Sequence, residues 1–251
     1  MYFLSKKAFL LVIFFVGFSC VGLAQKFHIS NKKKFEKIRF ELVNNLMVVP
    51  VELNDAKLTF ILDTGVSSPI LFNLTEQDSV RINNVSEITI RGLGEGDPIQ
   101  ALKSTGNTVK IGSAKSFNLP LYVVLDKDIN FSTSLGIPIH GIIGYDLFKD
   151  FVVEVNYTKG FLKLYNPKDY QYKPSKKIET LPLSIKNKRA YVDAFITKED
   201  DSEIPTKLLV DTGSSDALWL FQDIEKGLEV PDANYDDYLG KGLSGNIYGK
   251  R

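Results

Sequence analysis

Cysteine and histidine are nearly absent from this sequence. Its 251 residues include one cysteine, Cys20, and two histidines, His28 and His140. One cysteine cannot form an intrachain disulfide, and two histidines cannot supply a multi-histidine zinc site. His140 lies in an apolar stretch with no second metal ligand or nucleophile beside it, which indicates a structural role and argues against a Ser-His-Asp triad.

An excess of charge of one sign is also missing. Lysine and arginine number 31 against 30 for aspartate and glutamate. Such a balance creates no field that would attract nucleic acid, so we expect no nucleic-acid partner. Hydrophobic residues make up 44% of the chain, which is ordinary for a globular protein and sufficient for a packed core.

Residues 1–24 have the pattern of an export signal. Lys6 and Lys7 precede the apolar residues 8–16, and the small residues Gly22 and Ala24 flank Leu23 before Gln25. We predict cleavage near Ala24 and a periplasmic or extracellular location. Two alternatives are an uncleaved membrane anchor and lipidation at Cys20.

The rest of the chain has short apolar runs separated by turn residues, which predicts an all-β fold. The clearest predicted strands cover residues 46–53, 58–62, 88–90, 109–111, 121–125, 151–155 and 161–165. Short helical turns are predicted near residues 75–78 and 146–149. No long amphipathic helix is predicted.

The pattern then starts again after about 148 residues. Two apolar hairpins each lead into an Asp-Thr-Gly tripeptide, first at Asp63 and then at Asp211. Each tripeptide is followed about 30 residues later by a glycine-rich segment, at residues 91–96 and 241–246. A repeat of this length has the size of a lobe, and we predict a first lobe over residues 36–168 and a second over 178–251.

One Asp-Thr-Gly could be an ordinary turn, but two copies in matching contexts point to chemistry. Gly65 and Gly213 let the backbone turn sharply and bring each aspartate to the end of a packed strand. Carboxyls that meet face to face cannot both ionise comfortably, so Asp63 and Asp211 would share one proton. Such a pair can activate water and protonate a carbonyl oxygen without a covalent intermediate.

These motifs resemble those of the retropepsin-like and pepsin-like aspartic peptidases, and most of all exported bacterial members with both lobes in one chain. The likeness includes the apolar run before each tripeptide and the later sequence Ile142-Ile143-Gly144. The resemblance implies two acid-protease-type β-barrel lobes in tandem, a peptide or protein substrate, and no metal or organic cofactor. It implies catalytic roles for Asp63 and Asp211, and support of the turns by Thr64, Gly65, Thr212, Gly213 and Ser214. It also implies a flap over the substrate, formed by Gly92, Leu93, Gly94, Glu95 and Gly96.

The sequence departs from a symmetric pattern in two ways. Ser214 can donate a hydrogen bond to Asp211, whereas Val66 in the matching place after Gly65 cannot donate to Asp63, so we expect an asymmetric pair. The second lobe has no counterpart of Ile142-Ile143-Gly144 and is expected to be truncated. The sequence would then be a piece of a longer protease, the product of a truncated gene, or a chain that works as a homodimer. A catalytically inactive peptide-binding lobe is an alternative function. Trp219 and Phe221 are expected in the core of the second lobe.

Overall fold

The computed structural model describes residues 26–251 except 31, 127 and 199. The predicted export signal, its cleavage near Ala24 and the lipidation alternative at Cys20 lie outside the described residues. Strands dominate the described chain, and the prediction of an all-β fold is confirmed. None of its helices is long and apolar enough to cross a membrane.

The first lobe contains eleven strands among the described residues. They are β1 (Phe35–Arg39), β2 (Glu41–Val43), β3 (Leu46–Leu53), β4 (Ala56–Leu62), β5 (Ile70–Leu71), β6 (Val85–Ile90), β7 (Ile99–Ile111), β8 (Ala114–Val124), β9 (Gly141–Ile143), β10 (Val152–Asn156) and β11 (Phe161–Tyr165). Two short helices accompany them, α1 (Ser132–Leu135) and α2 (Tyr145–Phe148), with a 3₁₀ turn at Glu76–Asp78. β3 and β11 have the predicted bounds, whereas β7 and β8 are much longer than predicted.

Eight strands form one sheet in the order β2-β3-β4-β9-β5-β8-β7-β6, and an additional β3–β7 pairing curls it back on itself. β1, β11 and β10 form a separate small sheet. The interior is filled from both faces of these strands, with fully buried side chains such as Met47, Leu53, Leu62, Ile111 and Leu147. The first lobe therefore has a complete core, because its alternating strands enclose their apolar faces.

β9 supports the strand that leads to Asp63. It pairs in parallel with β4, with Leu62 opposite Ile143, and lies in the middle of the sheet. His140, just before β9, accepts a hydrogen bond at Nδ1 from the Thr59 N–H (3.0 Å) and places Nε2 3.3 Å from Asp78 Oδ1. These contacts agree with the structural role predicted for His140.

The second lobe is smaller in the described chain. β12 (Ser184–Lys186), β13 (Arg189–Thr197) and β14 (Glu203–Leu209) form a three-stranded sheet, followed by a 3₁₀ turn at Ile224–Lys226. β15 (Asp236–Gly242) and β16 (Gly245–Lys250) form a separate hairpin. Among the described residues no strand pairs with β14 as β9 pairs with β4. The domain limits proposed from the repeat are compatible with these elements and remain a prediction.

The second lobe buries little apolar surface. Ile204 is its only buried hydrophobic side chain among the described residues, whereas Leu183, Phe195 and Phe221 are exposed. The prediction that Phe221 belongs to a core is wrong, since 73% of its surface is exposed. Trp219 is half-buried and its indole N–H donates to Asp216 Oδ2 (2.7 Å). A β-run buries its side chains only where another layer covers it, and the described chain supplies no such layer here.

Candidate active site

The two Asp-Thr-Gly turns lie at the ends of β4 and β14, where the lobes meet. In the first turn the Asp63 N–H donates to the Ile143 carbonyl (3.0 Å), and the Val66 N–H donates to the Asp63 carbonyl (3.2 Å). Gly144 passes so close that a Cβ there would lie 1.8 Å from the Asp63 carbonyl oxygen. β9 therefore holds the backbone of Asp63 directly, and only glycine fits at position 144.

Thr64 and Thr212 bind the two turns to each other. The Thr64 N–H donates to Thr212 Oγ1 (3.1 Å), and the Thr212 N–H donates to Thr64 Oγ1 (3.0 Å). Each hydroxyl then donates to a carbonyl of the opposite lobe, Thr64 to Val210 (2.6 Å) and Thr212 to Leu62 (2.9 Å). Four bonds with near twofold symmetry thus fix the separation of the turns.

The two carboxyls face one another as a result. The Asp63 carboxyl accepts from the Gly65 N–H (2.6 Å), and the Asp211 carboxyl accepts from the Gly213 N–H (2.8 Å). A Cβ at Gly213 would lie 2.3 Å from Asp63 Cγ, and a Cβ at Gly65 would lie 2.9 Å from Asp211 Oδ2. Each carboxyl therefore lies against the glycine of the opposite turn, in space that any side chain would fill. Both aspartates come from one chain, so the pair needs no second copy.

Burial and proximity change the titration of this pair. Burial, the charge of Asp211 and a hydrogen bond with Asp211 together raise the pKa of Asp63 from 3.8 to about 7, against the lowering effect of N–H donors from Gly65 and Val66. Removal of a shared proton would leave two negative charges in contact, and that repulsion keeps the proton bound to the pair. The site can therefore hold one carboxyl and one carboxylate near neutral pH.

The predicted hydrogen bond from Ser214 to Asp211 is not formed. Ser214 Oγ instead contacts the Asp216 carbonyl at 3.4 Å. The asymmetry between the two turns has another origin in this structure. Asp63 has the Ile143 carbonyl as acceptor for its N–H, and within the described residues the Asp211 N–H has no such partner because no strand lies beside β14.

The predicted flap connects β6 to β7, and its tip meets the β15–β16 hairpin of the second lobe. The Gly92 N–H donates to Ser244 Oγ (3.0 Å) and the Gly96 N–H donates to the Ser244 carbonyl (2.7 Å). The Ser244 N–H in turn donates to the Leu93 carbonyl (2.9 Å), and Ser244 is 3% exposed. We call residues 91–98 the first flap and residues 241–246 the second flap. The two flap tips are joined.

Sequence reasoning did not identify three residues at this interface. It noted the repeat at residues 241–246 but gave Ser244 no role. Arg189 Nε donates to the Gly65 carbonyl (2.8 Å), and Asn45 Nδ2 donates to the Ser215 carbonyl (3.0 Å). Both side chains lie at or beside the turn of a hairpin that precedes an Asp-Thr-Gly. The first hairpin of each lobe therefore contacts the Asp-Thr-Gly turn of the other lobe. The matching positions of these turns in the repeat were the available signal.

No three metal-ligating side chains come together within the described part of the chain. The candidate site therefore consists of two carboxyls and main-chain N–H groups. Nothing at the aspartates resembles a set of metal ligands.

Residues 49–147 match the family model described as aspartyl protease. Among solved structures, the chain is similar to a retropepsin-like aspartic protease from Rickettsia conorii, with 17% identity over 56% of this chain and 94% of that one, at a TM-score of 0.38. No curated protein sequence matches the chain. The family match covers β4, Asp63, the first flap and β9, which are the parts of the first lobe that form the site.

Proposed function

We propose that this chain is an endopeptidase of the aspartyl protease kind, with Asp63 and Asp211 as its catalytic pair. The match of residues 49–147 to the aspartyl protease family model supports the proposal. The observation that carries the proposal is the reciprocal contact of each carboxyl with the glycine of the opposite turn. Two carboxyls held in this way, one protonated and one ionised, supply the general acid and the general base that hydrolysis of an amide by water requires.

In the proposed reaction a water molecule lies between the two carboxyls. The ionised carboxylate accepts a proton from this water as its oxygen attacks the peptide carbonyl, and the protonated carboxyl donates its proton to the carbonyl oxygen. A neutral tetrahedral diol results. The carboxyl that is now protonated donates its proton to the amide nitrogen, and the other carboxylate takes a proton from one hydroxyl of the diol. The C–N bond breaks to release an amine and a carboxylic acid, the pair again holds one proton, and no covalent enzyme intermediate is formed.

The joined flaps are proposed to cover the substrate. Gly92 and Gly96 at the tip of the first flap donate their N–H groups to Ser244, so opening of the flaps requires these bonds to break. Closure would exclude bulk water and align an extended peptide over the carboxyls.

Export of the protein through residues 1–24 also remains a proposal.

Substitution of Asp63 by Asn tests the function. The exchange keeps the shape of the side chain but removes the shared proton, so hydrolysis of a quenched-fluorescence peptide library should fall to background. Binding of a statine-type mimic of the tetrahedral diol should weaken more than binding of a matched substrate peptide. Cleavage that survives both Asp63→Asn and Asp211→Asn would refute the proposal.

A catalytically silent peptide-binding protein is the second candidate. The observation in its favour is that the Asp211 N–H meets no carbonyl acceptor among the residues that the structure describes, whereas Ile143 provides one for Asp63. Under this alternative the native chain would bind peptides but not cleave them, and Asp63→Asn would leave binding unchanged. Measured turnover by the native chain would exclude it.

A further inference from the structure

A groove of about 1030 Å³ lies beside the joined flap tips. One side is the end of the first flap and the start of β7, and a second side is formed by Leu125, Asp126, Asp128 and Ile129. The third side is the second flap. Neither catalytic aspartate lines it, nor do Thr64 and Thr212. The groove is therefore separate from the carboxyl pair, although both flaps contribute to its walls.

The lining of the groove combines an apolar floor with an acidic rim. Ala101 and Ile129 are buried in the floor, and Ile99 and Leu243 are half-buried beside them. The rim has four exposed carboxylates, from Glu87, Asp97, Asp126 and Asp128. Among the described lining residues only Lys241 carries a positive charge, and its ammonium donates to the Asp128 carbonyl (2.5 Å).

These carboxylates are not neutralised by the described chain. None of the four forms an ion pair within it. They also do not converge as metal ligands would, since no group of three or more acidic or histidine side chains among the described residues could hold an ion. Carboxylates spread along an apolar groove complement an extended ligand with positive charges at intervals, rather than a single cation.

We propose that this groove binds a segment of the substrate polypeptide that is rich in lysine or arginine and in apolar residues, at a distance from the bond that is cleaved. The proposal rests on the proposed function and extends it to the class of substrate. Apolar side chains of the segment would cover Ile99 and Leu243, while its cations would face the carboxylates of the rim.

Occupation of the groove is coupled to closure of the flaps. The walls of the groove belong to both flaps. Ser244 of the second flap keeps these walls next to each other through its hydrogen bond to the first flap. A ligand that contacts both walls binds the closed arrangement better than the open one, and so shifts the population toward closure. A basic flanking segment should therefore lower KM for the substrate that carries it.

Direct binding provides the first test. The probe is a fluorescein-labelled eight-residue peptide of alternating lysine and valine, titrated by fluorescence anisotropy against the full chain carrying Asp63→Asn, so that cleavage cannot occur. Addition of Glu87→Gln and Asp126→Asn should weaken binding by about 3- to 20-fold, since each exposed charge contact contributes modestly. This difference should shrink as salt is raised. The matched control pair Glu229→Gln and Asp232→Asn, outside the groove, should leave affinity unchanged.

Turnover provides the second test. Two substrates share one cleavable core and differ in a flank of alternating lysine and valine or glutamate and valine. The basic flank should lower KM for the native chain, and Glu87→Gln with Asp126→Asn should abolish that advantage without lowering turnover of the acidic substrate.

The two experiments separate the two proposals. Saturable, groove-dependent probe binding without turnover would refute the endopeptidase assignment and keep the groove assignment. Turnover that is indifferent to the flank, or equal loss of probe binding in the groove and control pairs, would overturn the groove proposal and leave the endopeptidase assignment standing. Absence of saturable probe binding would overturn it as well.

Discussion

Thr64 and Thr212 are 148 residues apart, yet each donates its main-chain N–H to the other's hydroxyl, at 3.1 and 3.0 Å. Their hydroxyls donate onward to Val210 and Leu62 of the opposite lobe. The position of each aspartate therefore depends on a residue of the other lobe. This relationship connects stability of the lobe interface to catalysis.

Replacement of either threonine by valine should lower both the free energy of unfolding and kcat. Valine has nearly the same shape but leaves one N–H and one carbonyl without a partner, which costs about 1–3 kcal/mol in free energy of unfolding. The double variant should lose less than the sum of the single variants, because loss of one hydroxyl already loosens the contact between the turns on which the bonds of the other hydroxyl depend. Urea denaturation and kcat measure the two effects. Thr206→Val, whose hydroxyl contacts only the nearby Ile204 carbonyl, is the control. Additive losses would contradict the interlock.

Gly213→Ala should disable the site while the lobes stay folded. The new Cβ would lie 2.3 Å from Asp63 Cγ, so the carboxyl must move. Displacement of a reacting group by about 1 Å can cost on the order of 100-fold, and we expect at least that loss in kcat/KM. Ser215→Ala is the matched control, since Ser215 uses only its carbonyl toward Asn45. Near-native activity in Gly213→Ala would show that the carboxyls are not in contact in solution.

Activity should decline above about pH 7. The carboxyl pair needs one proton, and burial together with Asp211 raises the pKa of Asp63 to about 7, so the pair becomes doubly ionised only above that value. A pH profile of kcat/KM measures this limb. A loss of activity with rising pH that is already complete below pH 5 would contradict the raised pKa of Asp63.

The same shift affects stability with a definite sign. Because the folded pKa lies above the ordinary 3.8, the folded protein binds this proton more tightly than the unfolded chain does. The stabilisation is present below roughly pH 4 and is lost progressively as pH rises toward 7. Denaturation midpoints over this range should fall for the native chain relative to Asp63→Asn, which cannot titrate at this position.

Substitutions at the flap tips should raise KM to different extents. Ser244→Ala removes one bond, from the Gly92 N–H, and leaves the main-chain bonds intact. Gly94→Ala would place a Cβ 2.4 Å from the Ser244 carbonyl oxygen, at a φ of +128° that disfavours any side chain, and so should separate the tips. We expect a larger rise in KM for Gly94→Ala. Equal effects would mean that the tips are apart when substrate binds.

His140→Ala should lower the free energy of unfolding by about 1–3 kcal/mol, because the half-buried Thr59 N–H would lose its acceptor. His140→Asn is the comparison, since an amide oxygen can take over the role of Nδ1 and restore part of the loss. Urea denaturation of the two variants measures the difference. Since β9 begins at the next residue and holds Asp63, kcat should follow stability.

Several strands could be predicted from the local pattern of apolar and polar residues. β3 and β11 were predicted with their observed bounds, and the run before each Asp-Thr-Gly was predicted as a strand, because alternating apolar side chains require one buried face. The sequence Ile142-Ile143-Gly144 was identified through the resemblance, and its parallel pairing with β4 was shown by the structure. The extra length of β7 and β8 could not be read, since polar residues such as Ser104 and Asn107 are buried there in hydrogen bonds with each other.

The sequence by itself determined that two Asp-Thr-Gly turns end two apolar hairpins, since strand periodicity and glycine turns are local properties of the chain. Only the tertiary structure decided that the turns meet through Thr64 and Thr212, that Ser214 turns away from Asp211, and that Ser244 joins the flaps. It also decided that Phe221 stays exposed. Each of these depends on which distant segment lies opposite, and a residue's own neighbours in sequence carry no information about a contact 150 positions away.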